Sequence, residues 1–249
     1  YIFIGKGGVG KSTLACALAL SREKVKLFSA DPMSNLRDIL GENIPGNIDM
    51  EELNVDNAVE EYLKKSVKEV KKAYNYLSAL NLDSLVNTIE FTPGIEEHVM
   101  LAEIERAING EVILDMPPAG LALRVLGLPS AEEGWLEALI GLREKIVSRR
   151  RALNKISGLQ EEEDEVLERL KRMRDRSSEL KGKLQSSIVY VVTTKESLAE
   201  MEASRIENSL KKLGFEYKRV YNMCESGIPK LPFEPKGKNL HMLEVEKWM

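Results

Sequence analysis

Cysteine and histidine are scarce in this 249-residue sequence, and their scarcity excludes several kinds of protein. The cysteines are Cys16 and Cys224, and the histidines are His98 and His241. These are too few for a disulfide scaffold or for a four-ligand zinc site built from adjacent Cys and His pairs. We therefore expect a reducing, cytoplasmic setting.

The sequence also lacks a long apolar run and an excess of basic residues. No stretch approaches the roughly 18 apolar residues of a membrane span, and no charged and apolar leader precedes the first motif, so we expect neither anchor nor signal peptide. Lys and Arg number 36 and Asp and Glu 40, which gives a net charge of −4. Because no overall basic field exists, nucleic acid is not an expected partner.

Short apolar segments alternate with helical patterns along the chain. Strands are predicted at residues 1–4, 25–29, 88–91, 111–114, 187–193 and 217–221, and helices at 12–21, 96–108 and 199–213. The strands show little polar alternation, as expected when both faces of a sheet are covered. The pattern predicts an α/β fold with a doubly wound, mostly parallel sheet.

Two longer helical stretches interrupt this alternation. Apolar residues recur at spacings of three and four within 56–80 and within 130–185, the latter with a polar bend at 154–158. We expect a single domain over 1–249, with a helical subdomain formed by about 56–80 and 130–185. A surface hairpin without a function of its own is the alternative.

A glycine-rich segment follows the first predicted strand and precedes a predicted helix. It reads Gly5-Lys6-Gly7-Gly8-Val9-Gly10-Lys11-Ser12-Thr13 and fits the pattern GxxxxGK[ST]. Glycines let successive backbone N–H groups face phosphate oxygens, and the helix N-terminus favours the anion. The pattern predicts an ATP site in which Lys11 contacts the β and γ phosphates and the Ser12 hydroxyl binds Mg²⁺.

The lysine directly after the first loop glycine is more specific. Lys6 gives the sequence KGGVGK[ST], which resembles a deviant phosphate loop. This loop is shared by septum-site and plasmid-partition ATPases, the nitrogenase iron protein, and the family of arsenite-pump ATPases and tail-anchored-protein targeting factors. The resemblance implies a P-loop NTPase fold of the SIMIBI type and ATP hydrolysis. It also implies a homodimer in which Lys6 reaches the partner's nucleotide.

Two further segments resemble the switch elements of this family. Asp31-Pro32-Met33-Ser34-Asn35-Leu36 resembles the first switch, which implies that Asp31 activates water while Lys6 and Lys11 stabilise charge. Taken alone, Asp31 would also suit a helix N-cap or an Asx turn before Pro32. The segment from Asp115 to Pro129 resembles the second switch, which implies that Asp115 orders Mg²⁺ through water and that Gly120 is the flexible point. Where the family has threonines and a histidine, this second segment carries Met116, Ala119, Leu121 and Ala122.

The C-terminal part of the chain resembles the family's adenine-binding segments. The resemblance assigns Glu196 to the partner-side nucleotide and Asn222 to the adenine edge, for which a carboxamide offers both a donor and an acceptor. It assigns the adenine loop to Pro232, Phe233, Glu234 and Pro235. An ordinary exit from a strand into a turn is the alternative for Asn222 and this loop.

The expected partners follow from the same resemblance. Some targeting factors share a zinc ion through a CxxC pair, but Cys224 stands alone here, so we predict no zinc. A groove for hydrophobic transmembrane segments of client proteins would be lined by Trp135, Leu136, Leu139, Ile140 and Ile146. Residues 149–151 are all arginine and the following arm is densely charged, which favours a solvated hairpin. Contact of the basic triplet with an acidic membrane receptor or with lipid headgroups is the alternative.

Three functions remain open on the sequence. The first is a homodimeric, ATP-hydrolysing, cytoplasmic carrier that targets tail-anchored membrane proteins. The second is the ATPase subunit of an arsenite or antimonite efflux pump, although two cysteines cannot form a three-thiolate site within the chain. The third is a positioning ATPase of the septum-site or partition type.

Overall fold

The computed structural model describes residues 1–73, 94–157, 163–232 and 234–248, and it is built on a six-stranded sheet. The strands are β1 (Ile2–Gly5), β2 (Val25–Ser29), β3 (Ile48–Glu52), β4 (Val112–Asp115), β5 (Ile188–Thr193) and β6 (Glu216–Tyr221). Their order is β3-β2-β4-β1-β5-β6, and every neighbouring pair is parallel. The predicted doubly wound α/β class is confirmed.

Helices connect most of these strands, as parallel pairing requires. They are α1 (Lys11–Leu20), α2 (Leu36–Leu40), α3 (Val55–Ala73), α4 (Ile95–Ala107), α5 (Ala119–Ser157), α6 (Glu165–Gln185) and α7 (Ser197–Leu213). Two short 3₁₀ helices, Gly237–Leu243 and Val245–Lys247, follow β6.

Helix α1 is held tightly against the sheet because it is built from small and aliphatic residues. Its Ala15, Cys16 and Leu18 are fully buried and belong to one apolar cluster with Phe3 of β1 and Leu27 of β2. Leu240 and Leu243 of the first 3₁₀ helix join the same cluster. Close packing of this kind leaves α1 little freedom to shift, so the loop that precedes it is rigidly placed.

The sheet differs from the sequence expectation at its edge. Strand β3 was not predicted, because Ile48 is its only buried residue and the segment IDMEE is acidic. An edge strand needs one covered side only, so it can carry charges that a central strand could not. The strand predicted at 88–91 lies outside the described residues.

The chain divides into two compact units. Unit one comprises Tyr1–Val125 and Ser187–Met249 and contains the sheet; unit two comprises Leu126–Ser186. Helix α3 falls in unit one, whereas residues 130–185 fall in unit two. Residues 74–80 lie outside the described ranges. The expected joint subdomain of 56–80 and 130–185 stays a prediction. None of the helices that the structure describes combines the length and apolarity needed to cross a bilayer.

In unit two, side chains of α5 contact side chains of α6 and of its N-cap. Arg143 donates two hydrogen bonds to Asp164, at 3.0 and 2.9 Å, and Lys181 pairs with Glu133 at 2.8 Å. The apolar contacts between the helices involve Ile140, Val147, Leu167 and Leu170. The bend predicted at 154–158 is wrong for residues 154–157, because α5 continues through Ser157; residue 158 lies outside the described ranges.

Candidate functional site

The loop at residues 6–10 connects β1 to α1 and has a conformation that depends on glycine. Gly8 and Gly10 have φ angles of 81° and 90°, in the left-handed region that other residues rarely adopt. A Cβ on Gly10 would also lie only 2.4 Å from Nδ2 of Asn222. Gly10 stands directly before α1, whose first backbone N–H groups have no acceptor within the helix. This arrangement suits an anion such as phosphate.

Asn222 is bonded to this loop from a distant part of the sequence. It follows β6, is 4% exposed, and its Nδ2 donates to the Val9 carbonyl oxygen at 2.8 Å. The residue predicted to recognise adenine therefore also holds the backbone of the phosphate loop.

Lys11 provides a nearly buried positive charge at the start of α1. Its residue is 6% exposed, and its Nζ donates to the Lys6 carbonyl oxygen at a long 3.4 Å. It forms no ion pair with any carboxylate in the part of the chain that the structure describes. A buried ammonium group costs free energy unless an anion compensates it, and a phosphate is such an anion.

Asp115 ends β4 and is completely buried. Its Oδ2 accepts a hydrogen bond from the Ser29 hydroxyl at 3.3 Å, whereas its Oδ1 has no hydrogen-bond partner among the described residues. Burial raises the pKa of Asp115 to about 6, while the Ser12 hydroxyl and the Lys11 charge oppose that rise. Mg²⁺ prefers oxygen ligands and ordered waters. The Asp115 Oδ1 lacks a donor in the described part of the chain and the Ser12 hydroxyl is close to this carboxylate, so both groups offer oxygens of this kind. These residues fit a magnesium ion.

Asp31 lies two residues after the end of β2 and is held in an Asx turn. Its Oδ1 accepts from the Met33 N–H at 3.0 Å, and its own N–H donates to the Ser29 hydroxyl at 3.3 Å. Ser29 thus contacts both acidic residues of the site. Asp31 lies at the carboxyl end of the strands, where ligands bind in open α/β sheets.

A pocket of about 660 Å³ opens between the phosphate loop and the segment after β6. This volume is in the range of small-molecule sites. The predicted site residues that line it are Gly7, Gly8, Gly10, Lys11, Ser12, Thr13, Asp31, Asn222, Pro232, Glu234 and Pro235. The remaining wall is formed by residues that the sequence reasoning missed, namely Asn35, Ile39, Pro118, Met223, Pro229, Lys230, Leu231 and Leu243.

Other predicted site residues lie outside the wall of this pocket. Those residues are Gly5, Lys6, Val9, Pro32, Asp115, Gly120 and Glu196. Glu196 is exposed at the N-cap of α7, and the Gly120 carbonyl oxygen accepts from Arg124 at 3.4 Å. Phe233 lies outside the described ranges.

The five residues predicted to line a client groove fall on two faces of α5. Leu136 and Ile140 are 6% and 7% exposed and belong to the buried face, so they are not part of an exposed surface. Trp135 and Ile146 are 66% and 48% exposed, and Leu139 is partly exposed. With Leu142 and Leu153, these three form an exposed apolar stripe, defined here as Trp135, Leu139, Leu142, Ile146 and Leu153. Positions 135, 139, 142 and 146 are spaced by four, three and four residues, so the helical period places them on one face of α5, apart from Leu136 and Ile140.

The fold and this site define a P-loop nucleotide-binding protein with a second lysine in its loop. The sequence profile of the family described as anion-transporting ATPase matches residues 1–222. The chain belongs to this family of ATPases, as the resemblance of its motifs implied.

Individual relatives agree with this placement. A protein of Aquifex aeolicus, provisionally named arsenical pump-driving ATPase 2, is 28% identical over 237 residues, covering 88% of this chain and 78% of the relative. ATPase get3 of Schizosaccharomyces pombe is 31% identical over 198 residues, covering 72% of this chain and 58% of the relative. The ATPase ASNA1 homolog of Plasmodium falciparum is 26% identical over 231 residues, covering 85% of this chain and 59% of the relative. The chain thus spans less than two thirds of the length of the two eukaryotic relatives.

Proposed function

We propose that the chain hydrolyses ATP as a cytoplasmic, Mg²⁺-dependent homodimer and carries hydrophobic transmembrane segments of tail-anchored proteins. The observation that carries the ATPase part is the convergence of Lys11, Asp31 and Asp115 beside one anion-binding loop. Resemblance to the targeting factors and the exposed apolar stripe of α5 support the carrier part.

The chain's own residues account for substrate binding. Backbone N–H groups of the loop and first turn of α1 bind the phosphate oxygens, and Lys11 neutralises charge on the β and γ phosphates. Ser12 and, through water, Asp115 would hold the magnesium ion, which supplies charge neutralisation on the phosphates when bound. Asn222 fixes the loop through Val9 and lies in the pocket wall beside the adenine loop.

We assign Asp31 the role of directing the hydrolytic water, because it is a carboxylate in the wall of the pocket. The carboxylate accepts a hydrogen bond from water and orients its oxygen toward the γ-phosphorus. A bond forms between that oxygen and phosphorus while the bond to the β–γ bridging oxygen breaks, and the water proton passes to the released phosphate or to Asp31. Lys11 stabilises the charge that grows on the bridging oxygen.

The variant Asp31→Asn tests this mechanism with little change in structure, because an Asn Oδ1 can still accept from the Met33 N–H. We expect ATP affinity to remain within about threefold while kcat falls by about a hundredfold or more. The matched control is Asp38→Asn, an exposed carboxylate on α2 that should leave kcat unchanged. Wild-type turnover by Asp31→Asn would overturn the mechanism.

The homodimer is proposed from Lys6, whose side chain would complete the partner's nucleotide site. Light scattering with ATP and Mg²⁺ should give twice the monomer mass. Replacing Lys6 by Ala should abolish hydrolysis while single-site nucleotide binding through Lys11 persists. A fully active monomer would exclude this arrangement.

Client capture is tested by co-expression with a protein that carries a single C-terminal membrane span. The variant Ile146→Asp places a charge in the exposed apolar stripe, and we expect it to reduce co-purification at least about fivefold while ATP hydrolysis is kept. The control is Lys145→Asp, which introduces the same side chain at an exposed position outside the stripe. Equal capture by both variants would refute a role for the stripe.

The pump-subunit alternative rests on the name of the Aquifex relative. Cys16 is fully buried, and burial raises the pKa of its thiol, so it is a poor ligand for arsenite. Stimulation of ATP hydrolysis by arsenite or antimonite would favour this alternative over the carrier.

A further inference from the structure

Three residues at the carboxyl ends of neighbouring strands stand in one row across the sheet. Glu52 ends β3 and is the register partner of Ser29, which ends β2. Ser29 is in turn the register partner of Asp115, which ends β4. Register partners on parallel strands project to the same face of the sheet. Glu52 therefore stands in line with Ser29, which contacts Asp31, and with Asp115, which we assign to the magnesium ion. The proposed mechanism gives Asp115 a role, and Ser29 contacts both Asp31 and Asp115, but Glu52 has no role so far.

Glu52 binds the far end of the loop that carries Asp31. Its Oε1 accepts from the Ser34 hydroxyl and from the Leu36 N–H, both at 2.8 Å. Leu36 is the first residue of α2, and the side chain of the N-cap residue Asn35 makes no capping hydrogen bond. Glu52 therefore supplies from β3 the acceptor that a helix start normally finds in its own N-cap side chain.

The loop is consequently fixed at both ends by residues of the same row. At its start, the Asp31 N–H donates to the Ser29 hydroxyl; at its end, Ser34 and Leu36 donate to Glu52. A turn bond from the Ser34 N–H to the Asp31 carbonyl, at 3.0 Å, links the two ends. A change at Glu52 is thus transmitted to Asp31 through two hydrogen bonds and the few covalent bonds of Ser34.

We propose that Glu52 is a positioning residue for ATP hydrolysis, holding the loop 31–36 so that the Asp31 carboxylate faces the attacking water. This role rests on the proposed function of Asp31. Glu52 is not among the residues that line the pocket, so we assign it no contact with the nucleotide. Its removal should impair the chemical step more than nucleotide binding, because misplacement of a catalytic group by about 1 Å is costly.

The test compares Glu52→Ala and Glu52→Gln in steady-state hydrolysis and in equilibrium binding of ATP. We expect Glu52→Ala to lower kcat about tenfold or more with the dissociation constant for ATP within about twofold. Glu52→Gln should retain kcat within about threefold, because its amide oxygen still accepts both hydrogen bonds. Ser34→Ala removes one of the two bonds and should fall between wild type and Glu52→Ala.

The matched control is Glu51→Ala, which changes the adjacent residue of β3. Glu51 pairs with Lys26 and Arg106 instead of the loop, so its loss should leave kcat unchanged even if thermal stability falls. Wild-type kcat in Glu52→Ala would overturn the proposal, as would equal losses in Glu52→Ala and Glu52→Gln.

Two further variants separate a failure of this role from a failure of folding and from a failure of the proposed mechanism. If Glu52→Ala does not fold, Ser34→Ala decides alone, and wild-type kcat in that variant counts against the role. Asp31→Asn is assayed in parallel: wild-type turnover there refutes the proposed mechanism and this role with it. An inactive Asp31→Asn beside a fully active Glu52→Ala refutes only the role of Glu52.

Discussion

Replacing Asp115 by Asn removes a charge that the folded protein buries completely. Burial raises the pKa of Asp115 from 3.8 to about 6, so ionising it costs about 3 kcal/mol more in the folded than in the unfolded chain. Below pH 3.8 the group is protonated in both states and contributes no penalty. As the pH rises toward 6, the unfolded chain loses its proton first, and the folded state is progressively destabilised.

We expect Asp115→Asn to be more stable than wild type by an amount that depends on pH. Without nucleotide or divalent cation, Asp115→Asn should exceed wild type in free energy of unfolding by about 3 kcal/mol at pH 8 and by about 0.5 kcal/mol at pH 4. Urea denaturation at the two pH values measures this, provided that the denaturant slope is unchanged. Asp49→Asn, at an exposed position of β3, is the control.

Two results would contradict the reasoning about Asp115. One is a variant that is no more stable than wild type at pH 8; the other is a gain that does not shrink in acid. ATP and Mg²⁺ provide a further check, because they should stabilise wild type more than the variant. In the proposed complex, the cation would compensate the Asp115 carboxylate, and an Asn at this position would offer no charge to the cation.

Three further changes test other parts of the structure. Gly10→Ala forces a Cβ to within 2.4 Å of Asn222 in a left-handed backbone, so ATP affinity in a fluorescent-nucleotide titration should fall at least about tenfold; unchanged affinity would contradict the loop geometry. Asn222→Ala leaves the buried Val9 carbonyl without its donor and should both weaken ATP binding and lower the melting temperature. If neither changes, the role of Asn222 is refuted. Asp164→Ala removes an N-cap and the partner of Arg143, and calorimetry should show a lower melting temperature with unaltered ATP affinity.

The phosphate loop and most of the sheet could be predicted because their signals are local. Residues 5–13 carry the whole pattern in one continuous segment, and a strand covered on both faces, such as β5 with the sequence IVYVVT, is apolar along most of its length. The helical period likewise identified α1, α4 and α7 to within two residues at each end.

The parts that escaped prediction depend on neighbours far away in the sequence. Strand β3 exists because its backbone pairs with β2, and its acidic residues give no sign of this. Ile39 and Leu243 reach the pocket wall only after α1, α2 and the first 3₁₀ helix have packed together. The role inferred for Glu52 requires the register of two strands, which no pattern in the segment 48–52 reveals.

The hydrogen bond between Asn222 and Val9 joins residues that are 213 positions apart in the sequence. The phosphate loop therefore leaves the ribosome well before its partner, which emerges only after β6 has been made. Nascent chains that end before Asn222 lack this contact, and we expect them to bind nucleotide poorly. Nucleotide binding would then report completed synthesis and folding of unit one, and a chain that binds ATP would already have its whole sheet assembled.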